Sequence, residues 1–228
     1  MCGRYMSTSP PDALRRWFEV DEVLAGEIPP SWNVAPTDPV YAVGETAGRR
    51  VLRAVRWGLV PSWAGSAKVA SRFINARGET LTDRRAFADA FHRRRCIVPA
   101  DGFYEWQPLD GGPKQPVLIR PAGGGVLAFA GLFEVWDDPG RPGREPLRTC
   151  TIVTTTANSL ISPIHDRMPV ILARAAWAEW LDRAGRDPAP LRPLLRPAPN
   201  DLLEIVPVRT LVNDVRNNGP ELIEPLPG

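Results

Sequence analysis

The chain has 228 residues, of which 43% are apolar and 24% are charged, a composition typical of globular proteins. At roughly 150 residues per domain, this length predicts a single domain over 1–228. The composition excludes a mostly disordered chain. No apolar run reaches the length of about 18 residues that a membrane helix needs. The opening MCGRYMSTSP lacks the basic and apolar regions of a signal peptide, so we expect a cytoplasmic protein.

The net charge is only +2, but the basic residues are unevenly distributed. The segment 49–95 holds twelve arginines and lysines against three acidic residues. A basic segment in a nearly neutral protein favours an anionic partner that meets one face of the molecule. Equally, these side chains could form a solvated surface that acidic residues from elsewhere in the fold neutralise. The charge pattern alone leaves both interpretations open.

Hydrophobic periodicity predicts few helices and many strands. Leu14, Trp17 and Phe18 form a helical stripe within 11–22. Further helices are predicted over 79–93 and 174–184, with a short one inside the proline-rich stretch 187–199. The predicted strands are 39–44, 50–59, 95–99, 102–107, 116–120, 126–134, 148–155 and 203–209. The glycine-rich stretches 123–125 and 139–143 are predicted to be hairpin turns. Because strands outnumber helices without βα alternation, we expect an α+β fold with a curved, partly closed mixed sheet flanked by helices.

Cys2 is the first residue whose chemistry is distinctive. Aminopeptidases remove an initiator methionine when the second side chain is small, so the mature chain would begin with an amine and a thiol on adjacent carbons. The amine of a chain terminus has a pKa of about 7.7–8.0, and a thiol is activated by a nearby cation or base. Such a 1,2-aminothiol condenses with an aldehyde to an imine, which the sulfur closes to a thiazolidine. The alternative is a frayed, unreactive terminus.

Two further titratable side chains lie in unusual surroundings. Glu105 sits in the aromatic segment GFYEW, where alternation places it on the face of Phe103 and burial would raise its pKa; the alternative is an edge-strand glutamate facing water. His165 lies in PIHDRMP, a short loop stiffened by prolines, and is a candidate for proton transfer; the alternative is structural pairing with Asp166. His92 lies beside arginines and is expected to be solvated. Two histidines and three scattered cysteines predict no metal and no other cofactor.

An amide and a tryptophan flank the basic segment. Asn75 precedes a glycine turn, where it could orient a nucleophile or cap the next helix. Arg77 follows in the same turn and suits phosphate. Trp63 lies in a predicted loop among arginines, which suits stacking on unpaired bases, with core packing as the alternative. Trp57 is expected in the core.

Taken together, these segments resemble the SRAP family, the SOS-response-associated peptidases or abasic-site processing proteins. The matching motifs span nearly the whole chain in family order. They are MCGR at 1–4, WNVAPT at 32–37, RWGLVPSW at 56–63, NARGET at 75–80, CIVPA at 96–100, GFYEW at 102–106, HDRMP at 165–169 and VNDVRN at 212–217. The long tail that follows the last motif in some eukaryotic members is not matched here.

The resemblance implies that the protein senses abasic sites in single-stranded DNA and shields them through a covalent thiazolidine crosslink to Cys2 after Met1 is removed. It implies that Asn75 positions the terminus and that Glu105 transfers protons at the opened sugar. It also implies that His165 stabilises the imine and supports strand cleavage by β-elimination. The expected DNA contacts are Trp63, Arg4, Arg77, Arg85 and Arg167. No metal, cofactor or membrane is implied, and we expect a monomer whose partner is single-stranded DNA.

Two other functions fit the residues alone. Cys2, His165 and Glu105 could form the thiol, base and carboxylate of an N-terminal-nucleophile peptidase or amidohydrolase. Alternatively, the basic segment and Trp63 could form a single-stranded DNA-binding module without catalysis. The first predicts turnover of a peptide, and the second predicts binding that does not depend on Cys2.

Overall fold

A computed structural model describes residues 2–183 and 187–226. Its strands are β1 (Tyr5–Ser7), β2 (Glu22–Val23), β3 (Ser31–Val34), β4 (Pro39–Thr46), β5 (Arg49–Trp57), β6 (Asn75–Arg77), β7 (Arg95–Ala100), β8 (Gly102–Gln107), β9 (Gln115–Pro121), β10 (Leu127–Trp136), β11 (Leu147–Thr156), β12 (Arg167–Pro169) and β13 (Leu203–Pro207). The α-helices are α1 (Pro11–Trp17), α2 (Ala88–Arg93) and α3 (Trp177–Leu181). Shorter 3-10 turns cover Ala67–Arg72, Gly78–Thr80, Arg174–Ala176, Ala189–Leu194, Asn200–Leu202, Thr210–Asn213 and Pro220–Ile223.

The eight predicted strands are confirmed to within two residues at each end, whereas the predicted helices are too long. The first helix ends at Trp17 because Glu19 adopts a left-handed backbone with a φ of 54°. The second begins only at Ala88. Before it, Gly78–Thr80 form a 3-10 turn, and the carbonyl of Thr80 accepts from the amides of Asp83 and Arg84, so this stretch consists of separate turns instead of one continuous helix. The third ends at Leu181, and residue 184 lies outside the described residues.

Five strands close into a barrel. In order around the ring, β11, β10, β7, β4 and β5 pair with their neighbours, and a parallel pairing of β5 with β11 closes it at Arg56↔Thr149 and Trp57↔Cys150. Farther along β11, β6 takes over this edge, with Asn75 opposite Ile152. The expected α+β class with a curved, closing mixed sheet is therefore confirmed.

A second sheet covers one end of the barrel. Its strand order is β13-β9-β8-β1-β3. Its inward side chains share one apolar cluster with alternate residues of the barrel strands, as expected where side chains alternate between two faces. Within this cluster the ring of Tyr5 packs edge-on against Trp57 and Phe129, with centroid distances of 5.2 and 6.2 Å. The cluster therefore fixes β1 against the mouth of the barrel.

The outer face of the barrel carries the helices. Phe18, Phe91 and Trp180 pack there in a separate apolar cluster. Arg95, which belongs to the basic segment, is 1% exposed. Its guanidinium donates to backbone carbonyls next to α2 and α3, including that of Trp180 at 2.7 Å. This arginine holds the helices on the barrel and is not available to an external anion.

One of the two predicted hairpins is wrong. The stretch 123–125 joins β9 of the second sheet to β10 of the barrel, and these strands do not pair with each other within the described residues. Gly125 has a φ of 91°, and a Cβ there would lie 2.3 Å from the ring of Trp17. Glycine is therefore required by a close approach to α1. The stretch 139–143 does connect an antiparallel pair, β10 and β11.

Candidate active site

Cys2 lies three residues before β1 and is fully buried. The strand is held on both edges, because Tyr5 pairs with Val34 of β3 and with Phe103 of β8. The Sγ atom lies 3.8 Å from the carbonyl oxygen of Arg4. The N-terminal cysteine is therefore enclosed by the fold, in contrast to the frayed terminus that the sequence left open.

Asn75 holds Cys2 from the barrel side. Its Nδ2 atom donates a 2.8 Å hydrogen bond to the carbonyl oxygen of Cys2. The segment before Asn75 is itself fixed, since the carbonyl of Ile74 accepts from the indole of Trp57 at 2.9 Å and from the amide of Ile152 at 3.0 Å. The Oδ1 atom of Asn75 is buried and has no hydrogen-bond partner among the described residues. An acceptor is thus available beside the terminus.

Glu105 lies on β8 with only 4% of its surface exposed. The alternation that places it with the buried Phe103 is confirmed, and the solvent-facing alternative is not observed. Burial raises the pKa of the Glu105 carboxyl above its usual range, and the nearby His165 ring opposes that rise. Burial, followed by the charge of Glu105, raises the pKa of the Cys2 thiol well above its ordinary value. Glu105 thus acts electrostatically on Cys2, and His165 acts on Glu105, which indicates that the three residues lie in one site.

His165 lies in a turn that precedes β12. Its Nδ1 atom is 2.9 Å from the backbone N–H of Arg167 and also 2.9 Å from Oδ1 of Asp166. One neutral nitrogen cannot accept from the amide and donate to the carboxylate at once. The Asp166 side chain is 84% exposed, so solvent screens its interaction with His165. The bond from the Arg167 amide therefore determines that Nδ1 acts as the acceptor. The neutral ring therefore carries its proton on Nε2.

Arg167 anchors the same turn. Its guanidinium makes two bonds to the Glu79 carboxylate, at 2.6 and 2.8 Å, and a third to the carbonyl of Thr154 at 2.8 Å. The residue is 8% exposed. The bonds to Arg167 also hold the pKa of Glu79 below its usual range. Arg167, expected to meet phosphate, is instead occupied by protein partners that hold the His165 turn against β11.

The whole arrangement can now be compared with known proteins. A family profile described as "SOS response associated peptidase (SRAP)" matches residues 1–215. The chain belongs to the SRAP family. Among relatives of this SRAP chain, the Bacillus subtilis "Abasic site processing protein YoqW" is 44% identical, with 98% of this chain and 99% of that protein covered. The Gallus gallus "Abasic site processing protein HMCES" is 37% identical, with 88% of this chain and 68% of that protein covered.

Solved structures share the SRAP fold described above. A Bacteroides thetaiotaomicron protein superposes with a TM-score of 0.86 at 21% identity, covering 98% of this chain and 99% of that one. A Bordetella bronchiseptica protein superposes with a TM-score of 0.76 at 26% identity, covering 91% of this chain and all of that one. The barrel and its covering sheet are thus a shared architecture.

Arg4 of this SRAP protein binds the C-terminal part of the chain. Its Nη1 atom donates to Oδ1 of Asn33 at 2.8 Å and to the carbonyl of Val212 at 2.9 Å. The amide of Asn33 continues the contact with bonds to the carbonyls of Asp214 and Asn217, both at 3.0 Å. The motif at 1–4 and the motif at 212–217 are thus joined through Asn33 in one clamp that supports β1. Arg4, another expected phosphate contact, is largely used by this clamp.

The remaining predicted DNA contacts, Arg77, Arg85 and Trp63, lie at the surface. Arg77 is two residues after Asn75 on β6, hence on the same face of that strand, and is exposed. Trp63 is 50% exposed, and the guanidinium of Arg85 lies over its ring at 4.8 Å. The buried position of Trp57 and the exposed position of Trp63 are both confirmed. Three more exposed cations lie in the same part of the chain, at Lys68, Arg72 and Arg84.

Sequence reasoning did not single out Tyr5. This side chain is fully buried, and its hydroxyl has no hydrogen-bond partner among the described residues. Burial, followed by the charges of Cys150 and Cys2, raises the pKa of the Tyr5 phenol well above its ordinary value. Its position three residues after Cys2 was the available indication, but a three-residue strand gives too little alternation to assign a face.

Among the described helices, none is long and apolar enough to cross a bilayer.

Proposed function

We propose that this SRAP protein recognises abasic sites in single-stranded DNA and forms a covalent thiazolidine crosslink to them through Cys2 once Met1 is removed. The crosslink shields the lesion during the response to DNA damage. The relatives named as abasic site processing proteins support this assignment. The observation that carries it is the hydrogen bond from Asn75 to the carbonyl of Cys2, next to a buried Glu105 and the His165 ring.

The chemistry follows from the aldehyde of the ring-opened abasic sugar. The Cys2 amine attacks the carbonyl carbon, and loss of water leaves an imine. The thiol then adds to the carbon of the protonated imine, so that a carbon–sulfur bond forms and the electron pair of the carbon–nitrogen double bond returns to nitrogen. Glu105 takes the proton that leaves the sulfur, and its negative charge stabilises the protonated imine before the ring closes. Protons and atoms balance without a cofactor.

The state of the thiol favours this reaction over peptide hydrolysis. A cysteine peptidase needs a base or cation that lowers the thiol pKa. Here burial and the negative Glu105 both raise the pKa of the Cys2 thiol. In thiazolidine closure the thiol is delivered within the same residue to an imine that already carries positive charge, so a preformed thiolate is not required.

The DNA strand is proposed to run past Arg77, Arg85 and Trp63. Arg77 and Arg85 are exposed and suit phosphate contacts. Trp63 offers a face for an unpaired base. Arg4 and Arg167 are not part of this proposed path, since their guanidiniums bind Asn33 and Glu79 respectively. They position the site instead of contacting the strand.

Two finer activities complete the proposal. His165 stabilises the imine and, when β-elimination competes with ring closure, supports cleavage of the strand. Met1 is removed by the protein itself or by a general aminopeptidase, and an intact-mass measurement tells whether it is gone. We further propose that the protein acts as a monomer in the cytoplasm, with single-stranded DNA as its partner.

A denaturing gel tests the central claim. Protein is mixed with a uracil-containing oligonucleotide that uracil glycosylase has converted to an abasic strand, and a shifted band that survives denaturation is expected. Cys2→Ser removes the stable band but leaves an imine that borohydride can trap. The matched control is Cys96→Ala, which removes a different buried thiol and keeps the band.

Other outcomes identify other functions. Turnover of a peptide substrate without a shifted band assigns the protein to the N-terminal-nucleophile hydrolases. Binding to DNA that Cys2→Ala leaves unchanged, with no band in the wild type, assigns it to the non-catalytic DNA-binding modules. Either result overturns the proposed crosslink.

A further inference from the structure

A cavity of about 280 Å³ opens at the end of the barrel away from Cys2. Along β11 it begins at Arg148, four residues before Ile152, the partner of Asn75. At about 3.3 Å per residue this is a separation of about 13 Å. The cavity is therefore separate from the catalytic site and is the unfilled end of the barrel interior.

The floor of the cavity is apolar. Its side chains come from the inward-facing positions of four barrel strands and are Ala42, Val51, Val55, Cys96 and Val135. Gly44 continues the inward face of β4 at the cavity wall. A Cβ at Gly44 would meet no heavy atom within 4 Å. The space is therefore open where a side chain would otherwise fill it.

Four arginines line the mouth, and two of them already have protein partners. Arg94 forms ion pairs with Asp89 and with Glu134, the latter at 2.9 Å. The guanidinium of Arg183 lies over the ring of Phe133 at 5.9 Å from its centroid. These two side chains complete the wall and are held in place by the fold.

The other two, Arg53 and Arg148, are half-buried and lack a hydrogen bond or ion pair in the described part of the chain. Among the described residues that line the cavity, the acidic one is Glu45. Its negative charge acts on Arg95, whose side chain lies on the outer face of the barrel. Two guanidiniums at one mouth repel each other, and partial burial deprives them of water. A bound anion would relieve both costs.

We propose that this cavity binds a 5′-nucleotide, with its phosphate between Arg53 and Arg148 and its ring on the apolar floor. Guanidinium forks match the oxygens of a phosphate monoester, and apolar walls with a few convergent polar groups are typical of small-molecule sites. The volume lies near the lower limit of about 300 Å³ for such pockets, so it takes one nucleotide unit. The source is a free nucleoside monophosphate or the 5′-phosphorylated end of a DNA strand.

Calorimetric titration of the full-length protein with deoxyadenosine monophosphate tests this site. Saturable binding is expected, and binding of deoxyadenosine or inorganic phosphate is expected to be at least about tenfold weaker, because each lacks one of the two contacts. The double variant Arg53→Gln with Arg148→Gln weakens nucleotide binding at least tenfold. Arg141→Gln, an exposed arginine of the β10–β11 connection, is the matched control and leaves it unchanged.

Gly44→Leu tests the cavity without removing a charge. Its side chain enters open space and is expected to block nucleotide binding, while Cys2 crosslinking stays at the wild-type rate. The matched control is Gly26→Leu, where a Cβ also meets nothing within 4 Å but which lies outside the cavity.

A titration with 5′-phosphorylated and 5′-hydroxyl oligonucleotides distinguishes the two sources. Arginine-dependent binding of the free nucleotide identifies a small-molecule site, and arginine-dependent binding of the phosphorylated strand alone identifies a site for DNA ends. The proposal is overturned if neither ligand binds the wild type, if inorganic phosphate binds as tightly as the nucleotide, or if Gly44→Leu binds normally.

Discussion

The side-chain amide of Asn75 donates a 2.8 Å hydrogen bond to the carbonyl oxygen of Cys2. This bond ties the segment that precedes β1 to β6 at the edge of the barrel. Since the carbonyl belongs to the residue that carries the amine and the thiol, its orientation sets theirs. The precision of the site therefore depends on an amide that does no proton transfer.

Asn75→Ala is expected to slow crosslinking about 100-fold, because a misplaced reacting group forfeits the benefit of orientation. The lost hydrogen bond should also lower the free energy of unfolding by about 1 kcal/mol. Single-turnover gels and thermal unfolding measure the two effects. Asn200→Ala removes an exposed amide from a 3-10 turn and is the control. A variant with wild-type kinetics would show that Asn75 does not position the terminus.

Glu105→Gln is expected to slow crosslinking by at least about 100-fold, the usual contribution of a general acid–base group. Because burial raises the pKa of the wild-type carboxyl, the rate should rise with pH through a value above the usual range near 4.3. The glutamine variant should lose this step. Crosslinking rates from pH 4 to 8 check the claim, and an identical pH profile in both proteins contradicts it.

The same substitution should stabilise the fold at neutral pH. The folded state holds the Glu105 proton more tightly than the unfolded state, so stability falls as pH rises from the unfolded pKa through the raised folded pKa. Glu105→Gln removes this loss. Denaturant unfolding should therefore find the variant more stable than wild type at pH 7 and equal to it near pH 3. Equal stability at both pH values would mean that the carboxylate is not desolvated.

The salt dependence of DNA binding should distinguish the arginines that contact phosphate from those that hold the fold. Each phosphate contact contributes about 0.7 to the slope of log K against log salt for a single strand. Arg77→Gln and Arg85→Gln should each reduce the slope by about that amount. Arg167→Lys should leave the slope unchanged but lower the unfolding temperature, because lysine cannot reproduce the forked contact with Glu79. Fluorescence anisotropy at several salt concentrations measures the slopes.

Trp63→Ala is expected to weaken binding of single-stranded DNA by about 1–3 kcal/mol, the usual contribution of base stacking. Thermal stability should hardly change, because the ring is 50% exposed. Trp17, 44% exposed on α1, provides the control, and Trp17→Ala should bind DNA normally. Equal losses in the two variants would contradict a specific stacking role.

The sequence predicted the long strands well because their alternation is local. Alternation also placed Glu105 on the face of Phe103, since GFYEW has enough residues to define two faces, but it left open whether that face is buried. The short strands β1, β2, β3, β6 and β12 were not predicted. Each is too brief to show a period, and each exists because a distant strand offers an open edge, as β11 does for Asn75.

The roles of the arginines could not be separated from the sequence. Arg4, Arg77 and Arg167 each lie in a family motif, and Arg95 lies in the same basic segment as Arg77. Yet Arg4, Arg95 and Arg167 bind groups up to 208 residues away. Arg95 meets the carbonyls of α3, and Arg167 meets Glu79. Which guanidinium faces outward is decided by the closure of the barrel, a long-range event that composition and spacing do not record.

The placement of β1 between β3 and β8 has a consequence for biosynthesis. β1 cannot pair on both edges until β8 has left the ribosome, so the amino end stays exposed during the first part of translation. The proposed removal of Met1 is therefore easiest during that time, while the amino end is still accessible. Once β1 is paired on both edges, the buried Cys2 is shielded from oxidants in solution.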